Sequence, residues 1–246
     1  MNNMQKLSLF LIVFIFSIQL SGQSFKLNQQ KASRVKSAYS EKWEGLKSDL
    51  KHKGITQKFE LFIRVFKEDK LFEVWLKSTT EKEYKLFKTY SICASSGELG
   101  PKRKQGDGQV PEGFYTIAVF NPYSNYHLSL GISYPNASDR IIGNGNLGGD
   151  IMIHGSCVTI GCIPLTDNYM KEVYILAVEA KNNGQQTIPV HIFPTKLNEK
   201  GMLFLSEKYS THLVFWKNLK KGYDYFERTK QIPRISVEKS GSYLFF

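Results

Sequence analysis

Four runs of β-forming residues follow one another between positions 59 and 120, and no other feature constrains the fold of this chain as strongly. They are Phe59–Phe66, Leu71–Lys77, Tyr84–Cys93 and Phe114–Phe120. Lys67-Glu68-Asp69-Lys70 suits a hairpin between the first two. Tyr126–Tyr134, Ile151–His154 and Ile188–Phe193 read as further strands. Helical spacing is confined to the flanks and to one central stretch. Val35, Tyr39, Trp43, Leu46 and Leu50 recur at that spacing within residues 27–53, and Gly54 is a plausible stop. Asp167–Lys181 reads as a helix capped by Asp167, with Met170, Val173, Tyr174, Ala177 and Val178 on its apolar face. Ser206–Thr229 is a second helical stretch that buries Leu213, Trp216 and Leu219. The glycine-rich stretch from Gly143 to Gly149 cannot hold a strand well and lacks the lysine of a phosphate loop, so it reads as a connection. The class that results is mainly β with flanking helices (α+β).

At 246 residues the chain can bury one main core with appendages. Lys6 and the apolar run Leu7–Leu20, closed by Ser21 and Gly22, read as an export signal over residues 1–22 with cleavage before Gln23. The alternative is an uncleaved N-terminal anchor, which would be the only membrane contact. Either way the rest of the chain is expected outside the cytoplasm, in the periplasm or cell envelope. The net charge of +11 would suggest nucleic acid in a cytosolic protein. In an exported one it fits anionic envelope polymers or plain solvated lysines, and no nucleic-acid partner is expected.

The chain has three cysteines, Cys93, Cys157 and Cys162, an odd count that leaves at least one unpaired within the chain. Cys162 is the candidate free thiol. A Cys93–Cys157 bridge is conceivable, whereas a Cys157–Cys162 bridge would disable a nucleophile at 162. The segment from Ile153 to Leu165 places His154, Gly155, Gly161 and Cys162 within one short span. A thiol is mostly protonated at neutral pH, and an imidazole within reach can take its proton. Gly161 leaves room for a substrate, and the N–H groups of Gly161 and Cys162 could face an oxyanion. With no acidic residue in the motif, a backbone oxygen near Gly155 is expected to orient the imidazole. Cys157 is expected to shape the loop rather than react. His127, Tyr134, Ser156 and Thr159 are the candidate substrate contacts, with half-buried sheet positions as the alternative for His127 and Tyr134. His52, His191 and His212 carry no assigned role. No metal site is expected, because the spacing matches no common cysteine–histidine ligand pattern.

The order His-Gly, short loop, Gly-Cys resembles the L,D-transpeptidase catalytic (YkuD) domain. The likeness continues in Gly100–Tyr115, Ser133-Tyr134-Pro135-Asn136, Asp139-Arg140, Phe215–Leu219 and Gly222–Phe226, and it points to the YafK-like branch. It covers roughly residues 56–246. There are two departures. Thr159-Ile160-Gly161-Cys162 stands where the family usually has Ser-His-Gly-Cys, and Pro164 stands where it usually has arginine. Losing the arginine removes a planar cation able to hold a carboxylate.

The resemblance implies a β-sandwich catalytic domain over 56–196. A helical extension over 23–55 would precede it and another over 197–246 would follow. It also implies acyl transfer without metal or organic cofactor. Cys162 would attack a peptidoglycan stem peptide at the L-centre of meso-diaminopimelate, with His154 as base and Gly155 supporting it. Hydrolysis that releases residues or a wall-attached lipoprotein from diaminopimelate is one alternative. A non-catalytic wall-binding module is another.

Overall fold

The computed structural model describes residues 24–55 and 58–246. The expected export signal and its cleavage point lie outside the described residues. Residues 24–30 are helical. They are followed by α1 (Ser33–His52), β1 (Phe59–Phe66), β2 (Leu71–Ser78), β3 (Lys85–Ser91), β4 (Gly113–Asn121) and β5 (Ser129–Ile132). Next come α2 (Ala137–Ile142), β6 (Met152–His154), β7 (Ile163–Pro164), α3 (Asp167–Asn182) and β8 (Pro189–Phe193). The chain closes with α4 (Glu199–Lys208), a 3₁₀ turn (Ser210–His212), α5 (Leu213–Thr229) and a hairpin of β9 (Ile235–Val237) and β10 (Tyr243–Phe245).

Eight strands form one sheet in the order β3-β2-β1-β8-β4-β5-β6-β7. The expected α+β class, mostly strand with flanking helices, is the class observed. The sheet bends at β4. Residues 113–116 of that strand pair with β8, residues 117–121 pair with β5, and a register shift falls between Ile117 and Val119. An irregularity of that kind turns a strand and lets one sheet curl into two halves.

The near-continuous apolar character of β1 follows from burial on both faces. Successive side chains alternate in direction. Leu61, Ile63 and Val65 therefore join the core shared with α1 and α3, while Phe66 joins the core under α4 and α5. Val190 and Ile192 of β8 repeat the first choice and Phe193 the second. The helix expected over 27–53 is broken at residues 31–32 and resumes as α1, whose Val35, Ala38, Tyr39, Leu46 and Leu50 are buried. Tyr39 donates to Glu179 of α3 at 2.8 Å, and Lys171 of α3 pairs with Glu41 at 2.6 Å.

Four local expectations need correction. The run Tyr126–Tyr134 is a strand only over β5, because His127 takes a φ of 70°, outside extended geometry. Thr166, not Asp167, caps α3, and its side chain accepts from the Tyr169 N–H. The C-terminal segment is not purely helical, since it ends in the β9–β10 hairpin. Its long helical stretch is also interrupted, by the 3₁₀ turn between α4 and α5.

Candidate active site

β5, β6 and β7 lie side by side at one end of the sheet. β6 pairs antiparallel with β5, setting Ser129 opposite His154, and parallel with β7, setting Ile153 opposite Ile163. Ile153 and Ile163 point into the core. By alternation, His154 points to the other face, and Cys162 lies one residue before β7. Cys162 stands level with Met152, whose N–H reaches its Sγ at 3.4 Å. Cys162 thus lies beside the residue two positions before His154 on the neighbouring strand.

His154 is buried, and its Nδ1 lies 2.5 Å from the Gly155 carbonyl oxygen. A carbonyl only accepts, so Nδ1 carries the proton and Nε2 of the neutral ring is left as an acceptor. This is the backbone partner expected near Gly155. Gly155 itself sits in a tight niche. A Cβ there would come 2.5 Å from Asp167 Oδ1 and 2.9 Å from His127 Cβ. The Tyr126 ring lies against the imidazole, with centroids 4.8 Å apart and planes at 32°. Tyr126, read from sequence as the start of a strand, sits instead in a turn in which the Asn121 and Ser124 side chains accept from the Tyr123 and Tyr126 N–H groups.

Cys93 and Cys157 form a disulfide, and Cys162 is the free cysteine. Burial pushes the Cys162 thiol up, with Asp150 adding to the effect, while the Met152 N–H and Lys102 oppose it. That direction is opposite to the lowering that an imidazole alone would produce. Gly161 has a φ of 97°, and a Cβ there would sit 3.1 Å from the Gln109 carbonyl, which accounts for glycine before the cysteine.

The N–H groups expected to face an oxyanion already have partners. The Gly161 N–H donates to Ser96 Oγ at 2.6 Å, and the Cys162 N–H donates to Thr159 Oγ1 at 2.9 Å. Ser96 escaped notice because it lies in a distant loop. Thr159 also donates to the Cys162 carbonyl at 2.8 Å, so it clamps the turn before the cysteine.

The other candidate substrate contacts are dispersed. The Ser156 N–H donates to Asp167 at 2.8 Å. Tyr134 is buried, and its hydroxyl is 3.3 Å from the Leu147 carbonyl. His127 packs beside Gly155, and burial holds its imidazole below the usual range. A cavity of about 140 Å³ opens beside Cys162, with Lys67, Lys70, Ser96, Leu99 and Tyr209 among its walls, and neither Thr159 nor any of Ser156, Tyr134 and His127 lines it. Lys67 is committed to the Glu98, Gly100 and Val110 carbonyls and to buried Glu112, whereas Lys70 is exposed. Among the described residues, no three His, Cys, Asp or Glu side chains gather as metal ligands would.

A family model, the YkuD L,D-transpeptidase catalytic domain, matches residues 60–192. A relative from Escherichia coli K12, named "Putative L,D-transpeptidase YafK", is 39% identical over 179 residues, covering 72% of this chain and 70% of the relative. Its counterpart in Escherichia coli O157:H7 matches to the same extent. Among solved structures, the helical cell shape determining protein Pgp2 from Campylobacter jejuni aligns with a TM-score of 0.45 at 19% identity, over 74% of each chain. Bd1075 from Bdellovibrio bacteriovorus aligns with a TM-score of 0.40 at 19% identity, over 67% of this chain and 59% of the other.

Proposed function

The chain belongs to the YkuD L,D-transpeptidase catalytic domain family, and on that premise we propose that it is an exported cysteine acyltransferase of the cell envelope, acting on peptidoglycan stem peptides. The observation that carries this reading is the free Cys162 one residue before β7, the strand paired with β6, whose His154 has its Nδ1 held by the Gly155 carbonyl. Cys162 Sγ attacks the carbonyl carbon at the L-centre of meso-diaminopimelate while its proton passes to His154 Nε2. His154 returns that proton to the departing amine, leaving a thioester. An amine or water then takes the acyl group and restores the thiol. The Gly161 and Cys162 N–H groups reach the oxyanion once the Ser96 and Thr159 hydroxyls yield to it.

A second reading, hydrolysis at diaminopimelate linkages such as those of a wall-attached lipoprotein, is favoured by Pro164. On β7 opposite His154, it supplies no cation for a donor carboxylate. Lys102 does not replace the arginine, since its ammonium is held by Asp107 and the Lys104 carbonyl.

The test supplies the mature protein with tetrapeptide muropeptides and, separately, with diaminopimelate-linked adducts, and reads the products by mass spectrometry. Action on adducts above stem-to-stem crosslinking is expected, with none from Cys162→Ala. Efficient crosslinking of plain tetrapeptides alone would favour transpeptidation over hydrolysis. Turnover by Cys162→Ala would overturn both.

A further inference from the structure

We propose that Arg34, on the N-terminal helix α1, is a positioning residue for His154. This rests on the reading of His154 as the base. α1 lies before residue 60, where the family model begins, so its contribution comes from outside the matched domain. Arg34 Nη1 donates to the His127 carbonyl at 2.8 Å and also to the Ser124 carbonyl. Those two carbonyls bracket Tyr126, the residue whose ring lies on the His154 imidazole. The same loop closes on Gly155. A Cβ on that glycine would stand 2.9 Å from His127 Cβ and 3.0 Å from the Tyr126 carbonyl oxygen. The loop thus touches both the base and the residue whose carbonyl orients it.

Inside the loop, Asn121 Oδ1 accepts from the Tyr123 N–H at 3.0 Å. His127 adopts a φ of 70°, a left-handed conformation that a residue with a side chain keeps only when its surroundings impose it. Within the loop, the Tyr126 N–H is held by Ser124 Oγ at 3.1 Å. A guanidinium is rigid and planar, and it suits two fixed acceptors better than a flexible ammonium does. Arg34 is itself exposed, so it adds little to global stability, and its effect falls on where the loop sits. α1 is a firm base for this contact, being tied to α3 by the Tyr39–Glu179 hydrogen bond and the Lys171–Glu41 pair.

The experiment compares wild type, Arg34→Ala, Arg34→Lys, His154→Ala and the surface control Lys47→Ala in the mature chain. The readouts are steady-state kinetics and the imidazole NMR signals of His154, assigned by their loss in His154→Ala. Arg34→Ala is expected to lower kcat about 10–100-fold, the effect of a small displacement of a catalytic group, with KM unchanged. It is also expected to shift the His154 ring signals and to exchange its Nδ1 proton faster. Arg34→Lys should move both readouts the same way by less, and it preserves the test if Arg34→Ala does not fold. Lys47→Ala should match wild type in both. Wild-type ring signals and kcat in a folded Arg34→Ala overturn the positioning role. Undiminished turnover by His154→Ala instead overturns the base assignment beneath it.

Discussion

The Cys162 thiol is pushed up by burial and by the Asp150 carboxylate, and it is drawn down by the Met152 N–H and by Lys102. Replacing Asp150 with asparagine removes a negative charge that disfavours the thiolate. The rate of Cys162 alkylation in Asp150→Asn should therefore reach its half-maximum at a lower pH than in wild type. Asp150 is exposed, so the shift should shrink as salt is added. An unchanged profile at low ionic strength would show that this carboxylate does not act on the thiol. Thr159 offers a second residue-level test, because one hydroxyl holds both the N–H and the carbonyl of Cys162. Thr159→Val keeps the shape and deletes both bonds, at about 0.5–1.5 kcal/mol each. The Cys162 N–H leaves Thr159 for the oxyanion in any case, so the loss in kcat should come from the bond to the Cys162 carbonyl, which holds the turn. A rise in KM alone would make Thr159 a substrate contact instead, as first expected from its place in the loop. Gly155 and Gly161 were legible in sequence as part of the motif, but their reasons were not. One is excluded from a side chain by Asp167 and His127, the other by its φ and the Gln109 carbonyl.

Among the strands, β8 carries a titratable group at a strategic place. His191 is buried between Phe62 and Phe114, with ring centroids 4.6 and 4.7 Å away. Burial, with Arg64 adding to it, holds its imidazole well below the usual range. The folded protein therefore keeps His191 neutral while the unfolded chain takes up a proton as pH falls through about 6.5. Below that point the unfolded state binds more protons, and stability declines with falling pH by up to about 1.4 kcal/mol per pH unit from this group. Chemical denaturation between pH 7 and 5 should show this slope in wild type and a shallower one in His191→Phe. Equal slopes would mean that other groups govern acid sensitivity. Of the elements, β1 appears with the bounds read from sequence and β2, β3, β4 and β8 with ends shifted by one or two residues, because alternating and doubly buried β patterns are local signals. β5 was over-read, since Tyr126 and His127 have strand-like neighbours but sit in a turn that α1 and Gly155 hold in place.

Across the whole molecule, the Cys93–Cys157 bridge joins the segment after β3 to the loop that carries the site, closing a span of 64 residues. Cys93 also donates its N–H to the Pro164 carbonyl at 3.2 Å, so the bridge lies against β7. Removing a disulfide of this kind costs about 2–4 kcal/mol. The Cys93→Ala/Cys157→Ala double variant should melt lower than wild type, and wild type in reductant should match it. Its Cys162 should still react with an alkylating agent. A double variant as stable as oxidised wild type would mean that the bridge adds nothing to the native state.

The sequence by itself determined the α+β class, the pairing of a histidine with a cysteine on a short loop, and the resemblance that the family match later showed. Those properties rest on periodicity and on residues adjacent in the chain. Only the tertiary structure decided which cysteines are bonded, which hydroxyls occupy the N–H groups beside Cys162, and that Tyr126 and Arg34 reach the surroundings of His154. Apart from the Thr159–Cys162 bond, which closes within one turn, each of those contacts joins segments separated by at least one strand. Its existence depends on how the sheet curls and where α1 docks, and neither leaves a periodic trace in the residues involved.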